Sequence, residues 1–574
     1  MNLKYSEILL RNRELGKSIS DQKYETKVLS NIITAQLNEL LEYTLRVDDI
    51  PAVVTSGDYD NIVQDSLKFH TSDLVIVFWE LCNIIDGLQY KINLLEDEQF
   101  DAIFEKTKSE IDLVLNNLHQ SSLVLFNKPT AIPFSMFDIK GNNLDKLAFK
   151  INRYLESEIR ENVKLIDLEK IIASIGITKS LDLRYYYSSK ALYTVAFFKA
   201  YAKYIKPFVL SANGKAKKAL IFDCDNTLWK GILGEEGFDG IEMSSKTRDG
   251  AIFAEIQSMA LGLGKQGILI GLCSKNNPQD VDEVIKSHPD MQLRDEHIAI
   301  KKCDWTDKAT NLRKIAEELH IGLDSLVFVD DSTFEVNLVK KLLPAIATLQ
   351  VPERLHNYPG MLYENSSLFY NLSFSKEDMQ KITMYKQSVL REKSKTELSD
   401  IESYLSSLEF KITVFEDEAS LIPRMSQMTQ KTNQFNLTTK RYTEGDIKKI
   451  ISEDNSKIFA LSVSDKFGDS GVTGLCIINF EKKNQTSNID TFLLSCRIIG
   501  RNIEYAFMDY IMKYLKKINI NSVAATYIKT KKNKQVNNFF DKCSFATITS
   551  SDEIKKYNQI IKNYKEYQLS YIRI

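Results

Sequence analysis

The sequence predicts a multidomain α/β protein built around a doubly wound parallel sheet. Two observations predict it. Apolar segments of strand length at residues 218–222, 267–274 and 325–331 each end in residues suited to chemistry, and helical patterns separate them. Open α/β sheets bind ligands at the carboxyl ends of their strands. The chain is also long, 574 residues with 43% hydrophobic content, enough for three or four domains with a core in each.

Taken in order, residues 1–210 carry an α/β alternation of their own. Residues 28–33 begin as a strand and run into a helix, and strands are expected at 50–55, 73–79 and 122–126. Small and basic residues make 207–218 the expected linker. The central domain follows, at 211–360, with a second boundary expected at 352–368, where Pro352, Pro359 and Gly360 interrupt the apolar pattern. A charge-rich helical segment over 374–408 then leads into a third part, 361–574 in all. There, 431–439 is a polar run broken by Phe435 and Leu437, 465–471 is a turn between strands, and 489–496 is a strand. A basic, glycine-containing loop and an amphipathic helix to Leu515 come next.

Composition excludes several classes. Lysine and arginine number 75 against 77 acids, a net charge of −2, so bulk nucleic-acid binding is not expected. Seven cysteines form no C-x-x-C pair, which reads as reduced thiols without a disulfide frame or zinc site. The N-terminus lacks a signal-peptide pattern. No apolar run reaches the ~18 residues a membrane helix requires, so a cytoplasmic protein without membrane association is expected.

The chemistry centres on Lys218-Ala-Leu-Ile-Phe-Asp-Cys-Asp-Asn-Thr-Leu-Trp229. Asp223 and Asp225 stand one residue apart at a strand end. Alternation along a strand would point them the same way, and buried unpaired charge is costly, so a divalent cation is expected to neutralise them. Thr227 closes the turn. Ser274 ends the second strand, Lys308 opens the helical pattern 309–319, and Asp330 and Asp331 end the third strand.

This D-x-D-x-T, Ser, Lys, D-D series resembles the haloacid dehalogenase (HAD) superfamily. The resemblance implies that Asp223 is a nucleophile forming an aspartyl-phosphate and that Asp225 is the general acid and base. Ser274 and Lys308 would hold the phosphoryl oxygens, with Thr227 and Asn276 as further binding residues. Mg2+ would be held by Asp223, Asp225 and Asp330, with Asp331 replacing or supporting Asp330. The spacing leaves no room for a large cap domain, so an open site is expected.

The flanking parts carry resemblances of their own. Leu29-Ser30-Asn31 after a first strand resembles the SGNH-hydrolase fold. Only His70 and His119 occur in this part and none follows Asp182, so Ser30 lacks a base and the domain is expected to be non-catalytic. The strand, Arg497-Ile-Ile-Gly500-Arg501 loop and helix resemble the GNAT acyltransferase fold, in which such a loop binds a pantetheine pyrophosphate. That implies Arg497, Gly500 and Arg501 as ligands, although Asn502 stands where Gly or Ala is usual and Phe540 where a Tyr acid often sits. Cys496 ends the strand beside Arg497 and Arg501. It reads either as a small buried hydrophobe or as a thiolate nucleophile.

Together, residues 222–231, 431–439, 465–469 and 491–497 resemble the FkbH-like family. Membership implies a glyceryl transferase and phosphatase. It would take a glyceryl unit from 1,3-bisphosphoglycerate with loss of phosphate, relay it through Cys496, and load it as a thioester on the phosphopantetheine arm of an acyl carrier protein. Polyketide-type extender supply and decoration of a surface glycan are both open. The rival expectation is a Mg-dependent phosphatase of a phosphorylated metabolite whose C-terminal domain only binds a partner.

Overall fold

The computed structural model describes residues 3–19, 23–135, 142–372, 405–481, 484–495, 498–530, 532–567 and 569–574. Cys496, Arg497 and nearly all of the expected 374–408 helical segment lie outside the described residues. The chain forms two compact units: Met1–Asn213 with Tyr442–Asp446, and Gly214–Arg441 with Ile447–Ile574.

The first unit is a parallel sheet of β1 (Tyr24–Ser30), β2 (Ala52–Ser56), β3 (Leu74–Phe78), β4 (Leu123–Lys128) and β5 (Val163–Asp167), in the order β2-β1-β3-β4-β5. β3 is buried along its whole length, as a central parallel strand must be. The boundary between the units, Asn213 to Gly214, falls inside the expected linker 207–218, but its first part is not a linker. Pro207 to Ala212 belong to the helix Val195–Ala212, whose buried Phe197, Phe198, Tyr201, Ile205 and Val209 bind it to the unit. Packing of that face outweighs the backbone hydrogen bond that Pro207 removes.

The second unit opens with another all-parallel sheet: β6 (Ala219–Phe222), β7 (Leu269–Ser274), β8 (Ile298–Cys303), β9 (Leu326–Asp330) and β10 (Ala347–Gln350), ordered β10-β9-β6-β7-β8. Strand order reverses between β6 and β9, which creates a crevice at their carboxyl ends. Only a short turn, the four-residue helix Leu233–Glu236 and the helix Arg248–Lys265 separate β6 from β7, so no cap domain is inserted there. The second expected boundary is also corrected. Residues 358–365 form the helix Tyr358–Asn365, with Pro359 in its first turn, where proline is tolerated. Tyr358 and Leu362 are fully buried in the core of this half.

The rest of the second unit is a mainly antiparallel sheet. It comprises β11 (Phe410–Glu416), β12 (Phe435–Asn436), β13 (Ser456–Asp465), β14 (Gly468–Glu481), β15 (Thr486–Leu494), β16 (Ser522–Ile528), β17 (Ala546–Ser550), β18 (Ile554–Ile560) and β19 (Ile572–Arg573). β15 and β16 pair in parallel only from Thr486 and Ser522 to Ile489 and Ala525. Beyond that point β12 pairs with Leu493 and Leu494 of β15, while Ile528 N donates to Leu437 O at 2.8 Å. This explains the polar run broken by two apolar residues: Phe435 and Leu437 are core anchors, 3% and 1% exposed.

Candidate active site

β6 is four apolar residues buried on both faces, so it delivers Asp223 to the crevice with little freedom. Asp223 N donates to Val329 O at 2.9 Å, which pins the first carboxylate to the neighbouring strand β9. The chain then leaves the extended conformation. Thr227 N and Leu228 N both bond Cys224 O, and Asn226 adopts φ 51°, a left-handed conformation that asparagine tolerates better than most residues.

That turn corrects the alternation expected for the two aspartates. Asp225 does not join Asp223. Its Oδ1 accepts from Trp229 Nε1 at 3.0 Å and from Leu233 N at 3.1 Å, and its Oδ2 accepts from Asn276 Nδ2 at 3.0 Å. Its carboxylate is therefore not a member of the metal-ligand cluster. The cluster is Asp223, Asp330 and Asp331, each offering an oxygen within 4.8 Å of the others.

Lys308 joins this cluster as the first residue of the helix Lys308–Glu318, whose N-cap Asp307 accepts from Thr310 N. Its Nζ lies 2.5 Å from Asp330 Oδ2 and 3.1 Å from Asp223 Oδ2. Ser332 N donates to Asp330 Oδ1 at 2.8 Å. Ser274 is buried, and its Oγ accepts from Asn276 Nδ2 at 3.1 Å, so Asn276 ties Ser274 to Asp225. Thr227 is wholly buried. Its carbonyl accepts from Tyr358 OH at 3.1 Å, and its own hydroxyl has no hydrogen-bond partner among the described residues.

The electrostatics follow from three buried or half-buried carboxylates facing one ammonium. Burial raises Asp223 to about 6, with Lys308 opposing that rise and Asp330 adding to it. Burial likewise raises Asp330 and Asp331. Burial works against the charge on Lys308, but Asp223 and Asp330 hold its pKa above the ordinary lysine value. Net negative charge in a site of oxygen donors alone fits a hard divalent cation such as Mg2+. Asp223, Asp330 and Asp331 are the residues that would hold it.

Two structural contributors escaped the sequence reading. Trp229 orients Asp225, and its position four residues beyond that acid was the only signal. Tyr358 buttresses the turn at Thr227 from a segment that read as a boundary.

The other expected ligands are distributed differently. Arg501 is buried and its Nη1 lies 3.9 Å from Asp465 Oδ2, so its charge is turned toward an internal acid. Gly500 is exposed with φ 78°. Asn502 occupies a left-handed N-cap with φ 61°, and its Nδ2 donates to Tyr571 OH at 2.7 Å. Phe540 is buried against Phe539, Phe545 and Tyr557. In the first unit, Ser30 Oγ accepts from Ile32 N at 3.1 Å. His70 and His119 precede β3 and β4, at the strand ends opposite Ser30, so neither serves it as a base.

No protein-family model and no curated protein matches the chain. Among solved structures, the chain is similar to the N-terminal part of a Bacteroides fragilis protein that contains a phosphatase domain complexed with Mg. The two are 23% identical over 65% of this chain and 100% of that one, with a TM-score of 0.56. The likeness is one of fold, and it agrees with a multidomain α/β chain holding parallel sheets. Shorter matches cover 27% of this chain. One is 97% of the ribosomal-protein-S18-alanine N-acetyltransferase of Escherichia coli, at 11% identity and TM-score 0.22. Another is 95% of a mutant spermidine/spermine N-acetyltransferase of Vibrio cholerae, at 12% identity and TM-score 0.22. Among the described residues, no helix is long and apolar enough to cross a membrane.

Proposed function

We propose that the chain removes phosphate at the Asp223 cluster and transfers a glyceryl unit, in the manner of the FkbH-like enzymes it resembles. The donor is 1,3-bisphosphoglycerate, and the acceptor is the phosphopantetheine thiol of an acyl carrier protein. The observation that carries the phosphoryl half is the cluster itself: Asp223, Asp330 and Asp331 gathered on Lys308 at the switch point between β6 and β9. The open, uncapped crevice supports a substrate delivered on a carrier.

In this reading Asp223 Oδ attacks phosphorus and the P–O bond to the substrate breaks. The departing oxygen takes a proton from Asp225, which its three hydrogen bonds hold in place. Asp225 then takes a proton from water as that water attacks the aspartyl-phosphate, releasing phosphate and restoring Asp223. Lys308 and Ser274 stabilise the charge on the phosphoryl oxygens. Mg2+, when bound, would neutralise the carboxylate cluster and the phosphoryl group, as the Mg in the Bacteroides fragilis structure also suggests. In the acyl half, the Cys496 thiolate attacks the acyl phosphate carbon, phosphate leaves, and the carrier thiol displaces Cys496.

The test is the intact mass of the protein after incubation with Mg2+ and 1,3-bisphosphoglycerate, with Cys496→Ser and Asp223→Asn beside wild type. A glyceryl adduct on wild type, absent from Cys496→Ser, supports the relay. A phosphoglyceryl adduct on Asp223→Asn would show that acylation precedes phosphate removal. A second reading, a phosphatase whose C-terminal part only binds a partner, is favoured by the inward turn of Arg501 toward Asp465. It predicts full phosphate release by Cys496→Ser with no adduct on any variant.

A further inference from the structure

The two neighbours of β6 serve different parts of the site. β7 ends in Ser274 and leads to Asn276, whose Nδ2 donates to Asp225 Oδ2 at 3.0 Å. β9 ends in Asp330, and Ser332 then caps the helix Thr333–Leu342. The proton-transfer carboxylate is therefore oriented from one side of β6, and part of the phosphoryl-binding cluster comes from the other.

An ion pair joins the two sides. Lys275 stands between Ser274 and Asn276, and its Nζ lies 2.7 Å from Glu335 Oε1 in the first turn of that helix. Glu335 N donates to Ser332 Oγ at 3.4 Å, and Ser332 N donates to Asp330 Oδ1 at 2.8 Å. Connected contacts thus run from Asp225 through Asn276, Lys275, Glu335 and Ser332 to Asp330.

The pair is no loose surface bridge. The Glu335 side chain is 9% exposed, and its Oε2 is buried with no hydrogen-bond partner among the described residues. An acid so placed depends on the cation beside it. The charge of Lys275 also reaches a third segment. Asp307, which caps the helix that starts with Lys308, is held below the ordinary aspartate value, chiefly by the bond from Thr310, with Arg313 and Lys275 contributing.

We infer that Lys275 and Glu335 are positioning residues for the phosphoryl chemistry: their pair sets where Asp225 stands relative to the Asp223 cluster. The inference rests on the phosphoryl half of the proposed function. Neither residue belongs to the carboxylate cluster. Lys275 acts through Asn276, and Glu335 acts through Ser332. Proton transfer needs the acid within hydrogen-bond reach of the reacting oxygen, and misplacing such a group by about 1 Å can cost about a hundredfold in rate.

The experiment is rapid mixing of the full chain and Mg2+ with p-nitrophenyl phosphate. Nitrophenolate leaves without a proton, so attack by Asp223 does not need Asp225, whereas hydrolysis of the aspartyl-phosphate does. Lys275→Ala should release the first nitrophenolate within about threefold of the wild-type rate and turn over at least about tenfold more slowly. One nitrophenolate per chain then precedes the slow phase. Glu335→Gln should behave alike, and the double variant should lose no more than either single one. Lys275→Arg should keep most of the turnover, and Lys275→Met, which retains the stem without the charge, should not. Wild-type turnover by Lys275→Ala or Lys275→Met, equal slowing of both phases, or additive losses in the double variant would overturn the role while the phosphatase reading stands. Wild type without turnover would defeat that reading, and this role with it.

Discussion

At the residue scale, burial and charge pairing decide behaviour more than residue type does. Lys308 is the cation placed between Asp223 and Asp330, with side chains 5%, 8% and 0% exposed. Lys308→Met would leave those carboxylates facing one another, and breaking a buried pair costs about 3–5 kcal/mol. Urea unfolding in EDTA should show that loss, and added Mg2+ should recover part of it by binding the folded state. Glu80 shows the same physics without a cation. It is 1% exposed, its Oε2 accepts from Tyr193 OH at 2.7 Å, and burial raises it to about 7. The folded state therefore binds this proton more tightly than the unfolded chain. Its contribution is fully present below the ordinary glutamate value and is lost as pH rises through about 7. A shift of that size corresponds to about 3 kcal/mol. Thermal melts should show the first unit losing stability from pH 5 to pH 8, and Glu80→Gln should flatten that slope. An unchanged slope would remove Glu80 as its origin.

At the element scale, the site depends on how closely the parallel strands pack. β6 and β7 run side by side, and Gly271 in β7 sits where an added Cβ would lie 2.7 Å from Ile221 Cδ1 and 2.9 Å from Ile300 Cγ2. Gly271→Ala must displace the Ile221 and Ile300 side chains and crowd Ile300 O, and overpacking of this kind costs about 1–3 kcal/mol. Denaturant unfolding should register the loss. Phosphate release should fall as well, because β6 carries Asp223 and moves with its neighbour. The turn after β6 makes a related point. Asn226 at φ 51° and the bond from Tyr358 OH to Thr227 O shape the turn, and Trp229, Leu233 and Asn276 hold the Asp225 carboxylate within it.

At the scale of the whole molecule, the second unit joins a parallel sheet to an antiparallel one. Lys532 and Asp324 link the two, but both side chains are nearly half exposed, at 45% and 42%. An exposed pair contributes under about 1 kcal/mol. Lys532→Ala should therefore shift the unfolding midpoint of the second unit only slightly. A large shift would mean that this pair contributes more to the unit than an exposed ion pair can. Among its described residues, the first unit offers no comparable catalytic grouping around Ser30, because His70 and His119 precede β3 and β4, at the opposite strand ends.

The sequence by itself determined the parallel-sheet architecture and the gathering of Asp223, Ser274, Lys308, Asp330 and Asp331 at one edge. Strand ends are legible because an apolar run that stops at a charged residue leaves few places for that residue to go. Tertiary structure alone decided the rest. Asp225 is held by Trp229, Leu233 and Asn276 beside the carboxylate cluster and not in it, because the strand ends at Phe222 and the chain turns there, which no alternation pattern records. Residues 207–212 read as part of a linker from the small and basic residues around them, and 358–365 as part of a boundary from Pro359 and Gly360, yet both are helical because packed apolar faces outweigh a local break. The cluster of Asp223, Lys308 and Asp330 likewise joins residues far apart in the chain, and their distances and shifted proton affinities exist only once the chain has folded and excluded water from them.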